Sequence, residues 1–171
     1  GLYTNHTDTL EKMSINKLGK ELLKRSQDYG VDNVLIMIDS QGSLASSKNK
    51  ERLEAIDNHK RWIDFSHKLG CKTMRVNLSG EDNLEKWTEN SVKSLSVLSN
   101  YNKDLNVVVE NHGGLSSNGK YLANVMSKVN IDNCGTLPDF GNFCIDGSPR
   151  LCAKWYDIYK GVKELMPYAH A

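Results

Sequence analysis

The sequence lacks an excess of charge of either sign: 22 lysines and arginines face 21 aspartates and glutamates, a formal net charge of +1. Broad electrostatic capture of nucleic acid or of an anionic membrane is therefore not expected, since both need a concentrated basic surface. No apolar run approaches the roughly 18–20 residues that span a bilayer. No Cys-x-x-Cys pair occurs among Cys71, Cys134, Cys144 and Cys152, which argues against a structural zinc knuckle. Free, buried thiols are the expectation, with a Cys144–Cys152 loop disulfide as the alternative. The phosphate-binding patterns G-x-x-x-x-G-K-[ST] and G-x-G-x-x-G are also missing, so Gly113-Gly114 reads as a tight turn or plain loop. The chain opens Gly1-Leu2-Tyr3 without a methionine, so its start is expected to be processed or trimmed, and no cellular address is legible.

What is present is a globular composition, 39% hydrophobic and 25% charged over 171 residues, enough for one domain. Residues 8–29 read as a helix on the spacing of Leu10, Met13, Leu18 and Leu22, with Asp8 or Thr9 as cap and Gly30 as stop. A continuous apolar run at 34–38 ends in Asp39, and such runs mark strands covered on both faces, as in parallel sheets. The pattern repeats: helix 51–69, strand 73–78, helix 83–101, strand 106–112, helix 119–129, a short strand at 135–137 and a last helix at 152–165. Strands start near residues 34, 73, 106 and 135, roughly the βα period of 30-odd residues. The choice is between a small doubly wound sheet and part of a (β/α)8 barrel, which needs about 200–250 residues when complete. With four strands, a barrel here would be about half of one.

Polar residues gather where the strands end: Asp39; Arg75 and Asn77; Glu110, Asn111 and His112; Asp139 and Asn142. In either architecture the carboxyl edge of the sheet is where ligands bind. Asp39 taken alone reads as a loop residue that satisfies its own backbone. Glu110 follows three valines, at a depth where a carboxylate needs an ionic partner or a metal. His112 lies two residues on, on the same face of an extended strand. A carboxylate and an imidazole together suit a divalent ion such as Mn, Co, Mg or Zn, and Asp139 on the neighbouring strand would add a second hard oxygen. The competing reading is an ion-pair network through Arg75. His59 and His67 on the second helix read as packing or solvent-facing groups, and Lys48, Lys50 and Arg52 as a solvated helix start. Trp62, Trp87 and Trp155 read as packing between helices and sheet.

Several segments taken together resemble one family. They are Asp57-Asn58-His59-Lys60-Arg61-Trp62, Leu69-Gly70-Cys71, Met74-Arg75-Val76-Asn77, Val109-Glu110-Asn111-His112-Gly113-Gly114, Pro138-Asp139-Phe140-Gly141-Asn142 and Glu164-Leu165-Met166-Pro167-Tyr168-Ala169. Over about residues 30–171 the chain resembles the xylose-isomerase-like TIM-barrel family of sugar isomerases and sugar-phosphate epimerases, with apurinic endonucleases as distant relatives. The resemblance implies an α/β fold of parallel βα repeats, a partial TIM barrel holding about strands three to six of eight. It implies a divalent metal on Glu110 and Asp139, with Glu110 and His112 as catalytic groups. Arg75, Asn77, His112 and Asn142 would contact a small sugar or sugar phosphate. Many relatives carry His where this chain has Asn142. The family's remaining ligands, on strands seven and eight, would lie beyond Ala171, with His170 just before the seventh strand. The expected activity of the complete chain is therefore sugar isomerisation or epimerisation, and a truncated barrel is expected to be inactive alone or to pair with a second copy that closes its open sheet edges. A non-catalytic carbohydrate-binding or scaffold remnant is the alternative. An endonuclease-type phosphodiesterase fits less well, because no basic rim is present.

Overall fold

The structure, a computed structural model, describes residues 2–3, 15–148 and 150–170. Five parallel strands form one sheet in chain order, β1 (Leu2–Tyr3), β2 (Leu35–Met37), β3 (Thr73–Val76), β4 (Asn106–Glu110) and β5 (Cys134–Leu137). The four expected strands are therefore joined by a short fifth, whose Leu2 and Tyr3 pair with Ile36 and Met37. Parallel neighbours require crossovers, and helices α1 (Ile15–Tyr29), α2 (Asn49–Lys68), α3 (Leu84–Tyr101) and α4 (Gly119–Val129) supply them. This is the α/β architecture of a partial TIM barrel. The first helix occupies the expected segment from Ile15 onward and stops before Gly30, which adopts φ 62°. The proposed caps Asp8 and Thr9, and the helix positions Leu10 and Met13, lie outside the described residues.

Three of the later helices are started by a side-chain cap. The Asn83, Asn118 and Asp157 side chains accept the backbone N–H three residues on, starting α3, α4 and α5 (Ile158–Leu165). Val107, Val108 and Val109 are fully buried, as expected of a central strand covered on both faces. Trp62 and Trp87 pack inside, and the indole N–H of Trp87 donates to the Leu78 carbonyl at 3.2 Å. His59 is buried in α2 with Nδ1 2.7 Å from the Ala55 carbonyl, a packing role as expected.

The expected helix over 152–165 is corrected at its first half. An antiparallel hairpin, β6 (Cys144–Ser148) and β7 (Leu151–Trp155), occupies that segment, and the helix starts only at Ile158. Trp155 is thus a half-exposed strand residue rather than a helix-packing one. The hairpin is tied by a Cys144–Cys152 disulfide, so only Cys71 and Cys134 are free, both buried. Burial pushes the Cys134 thiol up to about 11. Beyond α5 the backbone rejoins the sheet: Ala169 bridges in parallel to Thr136, and the His170 N–H donates to the Thr136 carbonyl at 3.2 Å. His170 therefore sits beside β5.

Phe143, fully buried, links the hairpin to α5. An added Cβ at Gly161 would meet its ring at 2.2 Å, and one at Gly119 would meet the Gly161 backbone at 2.7 Å. Gly161→Ala is expected to cost about 1–3 kcal/mol through overpacking, read from urea denaturation. An unchanged midpoint would contradict this packing. His59 provides a second check. Burial holds its pKa below the ordinary 6.5, so the unfolded chain binds the proton more readily. Its contribution to stability is complete above about pH 6.5 and declines as the pH falls below that value. Stability measured from pH 7.5 to 5 should drop more steeply in wild type than in a His59→Gln variant; parallel curves would refute the assignment.

Candidate active site

The carboxyl ends of β2 to β5 meet at one rim, and one guanidinium organises it. Arg75 lies in β3, paired to Met37 on one side and Val108 on the other, so its side chain is embedded, 2% exposed. Its Nη1 donates to the Ile38 carbonyl at 2.9 Å and to Asp39 Oδ1 at 2.6 Å. Its Nε lies 2.9 Å from Glu110 Oε2, a close ionic contact whose N–H direction does not make it a hydrogen bond. Asn77 Nδ2 donates to the same Asp39 oxygen at 2.8 Å. The ion-pair network considered for Arg75 is thus present, and it includes Asp39, which sequence reasoning left as a loop residue.

The other oxygen of Glu110 faces a second cluster. Asn142 Nδ2 donates to Glu110 Oε1 at 3.2 Å and to Asp139 Oδ2 at 3.0 Å, and lies 3.2 Å from His112 Nδ1. His112 Nδ1 is itself 3.3 Å from Glu110 Oε1. Three of the predicted residues, Glu110, His112 and Asp139, therefore surround one nitrogen of a fourth, Asn142. Arg75 joins them through Glu110, whereas Asn77 belongs to the Asp39 half of the rim. Glu110 is nearly buried, 6% exposed, while the His112 side chain is 55% exposed. One group is held and the other can reach a ligand.

Local backbone chemistry fixes this arrangement. Asn111, pointing away from Glu110 and His112 by strand alternation, clamps the next rim segment. Its Nδ2 donates to the Asp139 and Asn142 carbonyls at 2.8 and 3.3 Å, and its Oδ1 accepts the Asp139 N–H at 2.7 Å. Sequence reasoning noted Asn111 as polar without giving it a role; the only signal was a polar residue on the wrong face of a buried strand end. The tight turn that follows is held by Ser116 and Ser117, whose hydroxyls accept the His112 and Gly113 N–H groups at 3.1 and 2.8 Å. Gly113, at φ 82°, takes a conformation that side chains disfavour.

Chemically, the rim presents two carboxylate oxygens and an imidazole nitrogen toward one point. An amide NH2 has two hydrogens and cannot serve all three acceptors fully. Hard oxygens with an imidazole are a donor set suited to a divalent cation. Among the described residues, no three His, Cys, Asp or Glu side chains are drawn together into a closed cluster; Asn142 stands between them.

Comparison with known proteins bears on the fold. A family profile described as xylose isomerase-like TIM barrel matches residues 4–168. No curated protein matches the sequence. Among solved structures the chain is similar to a D-tagatose 3-epimerase-like protein, at 17% identity and TM-score 0.71, over 90% of this chain and 58% of that one. It is similar to the IOLI protein with a binding zinc atom, at 18% identity and TM-score 0.70, over 86% and 54%. It is also similar to 3-keto-D-glucoside 4-epimerase from E. coli, at 12% identity and TM-score 0.67, over 88% and 64%. At these identities the likeness is one of fold, and the chain spans little more than half the length of most of these structures.

Arg75 offers the direct test of the rim. Arg75→Met leaves Glu110 buried without its guanidinium, and breaking such a pair from one side costs about 3–5 kcal/mol. Arg75→Lys should lose less, since it keeps the charge but not the fork. Urea denaturation of the two variants checks the order; Arg75→Met as stable as wild type would show that the contact carries no weight.

Proposed function

Because the chain belongs to the xylose isomerase-like TIM-barrel family, we propose that it forms the metal-binding half of a sugar isomerase or epimerase site, acting on a small sugar or sugar phosphate. The observation that carries this reading is the convergence of Glu110, Asp139 and His112 on a single point at the sheet's carboxyl rim. Glu110 and Asp139 would hold a divalent ion of the Mn, Co, Mg or Zn kind. When bound, such an ion supplies Lewis-acid stabilisation of negative charge on neighbouring sugar oxygens.

The chain's own residues have distinct tasks. Arg75 orients Glu110 and keeps a positive charge beside its buried carboxylate. Asn111 fixes the backbone that carries Asp139 and Asn142. Asn142 and Asn77 offer amide groups to sugar hydroxyls. His112, exposed and beside Glu110, is positioned to accept or return a proton between neighbouring carbons. Sheet edges completed by a second copy belong to the same proposal.

A second reading has its own support. Glu110 Oε2 is already against Arg75, and Asn142 stands between the donors, an arrangement that also suits a carbohydrate-binding remnant without chemistry. Calorimetric titration with Mn separates the two. Wild type should bind with saturable heat, and Glu110→Gln and Asp139→Asn should each weaken binding at least tenfold. Equal binding by wild type and both variants would remove ligation by these carboxylates. Exchange of deuterium from heavy water into ketose substrates, present in wild type and absent in His112→Gln, would support the isomerase reading over the remnant.

A further inference from the structure

The outer layer of helices carries an open groove that the rim does not use. It runs between α3 and α4, has a volume of about 890 Å³, and is lined by Leu84, Glu85, Thr88, Val92, Lys93 and Lys128 among others. Both flanks of this helix pair are covered, α3 by α2 and α4 by α5, and the groove still stays open. We propose that it is the docking face for a second copy of the chain, packed on a two-fold axis with its helices running the opposite way.

Charge along the groove selects that occupant. Each crossover helix returns from the carboxyl rim to the other end of the sheet, so α3 and α4 point the same way. Glu85 stands in the first turn of α3, at the rim end. Lys93 lies two turns on, about 12 Å along the axis, and Lys128 occupies the last turn of α4. The groove is therefore acidic at one end and basic at the other. Glu89 and Lys93 are paired with each other at 2.6 Å, which keeps the middle near neutral. Glu85 and Lys128 make no ion pair or hydrogen bond among the described residues. The helix dipoles favour an acid at the start and a base at the end, which accounts for the signs but not for two charges left without partners. Glutamates and lysines balance in the lining, so a nucleic acid, an anionic membrane or any other partner of one sign gains nothing over the length of the groove. What fits is a surface with the same charges in reverse order, and a two-fold axis across the groove presents that surface. Glu85 of each copy then meets Lys128 and Lys93 of the other.

The walls between these ends are suited to contact. Thr88, 8% exposed, donates its hydroxyl hydrogen to the Leu84 carbonyl at 2.8 Å, so the floor has already used its donor. Leu84, 37% exposed, and Val92, partly buried against the core, add apolar surface. Removing that surface from water supplies attraction, while the Glu–Lys pairs set register and direction. Helices of 18 and 11 residues offer an area at the low end for a stable interface, so the dimer is a weak one.

Sedimentation equilibrium of the chain over a range of concentrations tests the proposal. Wild type should pass reversibly from monomer to dimer, and added salt should weaken the dimer. Glu85→Lys and Lys128→Glu each set like charges against one another and should weaken dimerisation at least about tenfold. The double exchange restores opposite charges and should restore the dimer. Both residues are exposed, so circular dichroism should show the fold intact in every variant. A monomer at every concentration, a dimer indifferent to either single reversal, or a double exchange as weak as the singles would overturn the proposal. A dimer closed through the edges of the sheet gives the second of these outcomes. The Mn titration reads neither residue, so this inference and the metal-site reading fail separately.

Discussion

One buried guanidinium holds the rim together. Arg75 reaches a carbonyl and a carboxylate on the β2 side with one nitrogen and presses another against Glu110 on the β4 side. A charge so deeply placed has little water to lean on, so its partners determine where it stays. The same group thereby joins two halves of the rim: Asp39 and Asn77 on one side, Glu110 with Asp139, His112 and Asn142 on the other. The candidate metal centre is arranged beside this charge, although it does not use it as a ligand.

The parallel sheet was legible because its strands are short and largely apolar, and because Asx caps start α3, α4 and α5. The run of three valines before Glu110 announced both the central strand and the depth of its carboxylate, and the carboxyl-edge list contained the residues that meet at the rim. Asp39 was misjudged because its partner Arg75 lies on a different strand, and an ion pair across that separation leaves no local trace. Asn111 was overlooked for a related reason: its partners are backbone groups of the segment around Asp139, which no side-chain pattern records.

The hairpin shows where periodicity misleads. Trp155, Ile158, Val162 and Leu165 do recur at helical steps, yet only the last three are helical. Cys152 is drawn into a strand by its bond to Cys144, and Asp157 then supplies the actual helix start. The pairing of Cys144 with Cys152 could be listed from spacing but not chosen, because the hairpin that brings the two together depends on a positive-φ glycine at 147 and an antiparallel partner strand.

Phe143 follows Asn142 directly, and its ring fills the notch left open by the missing side chain at Gly161. A shift of the last helix along its axis would therefore push the aromatic plug, and the plug would drag the amide next to it. The seat of α5 against the hairpin therefore also sets where the backbone beside the rim amide can lie.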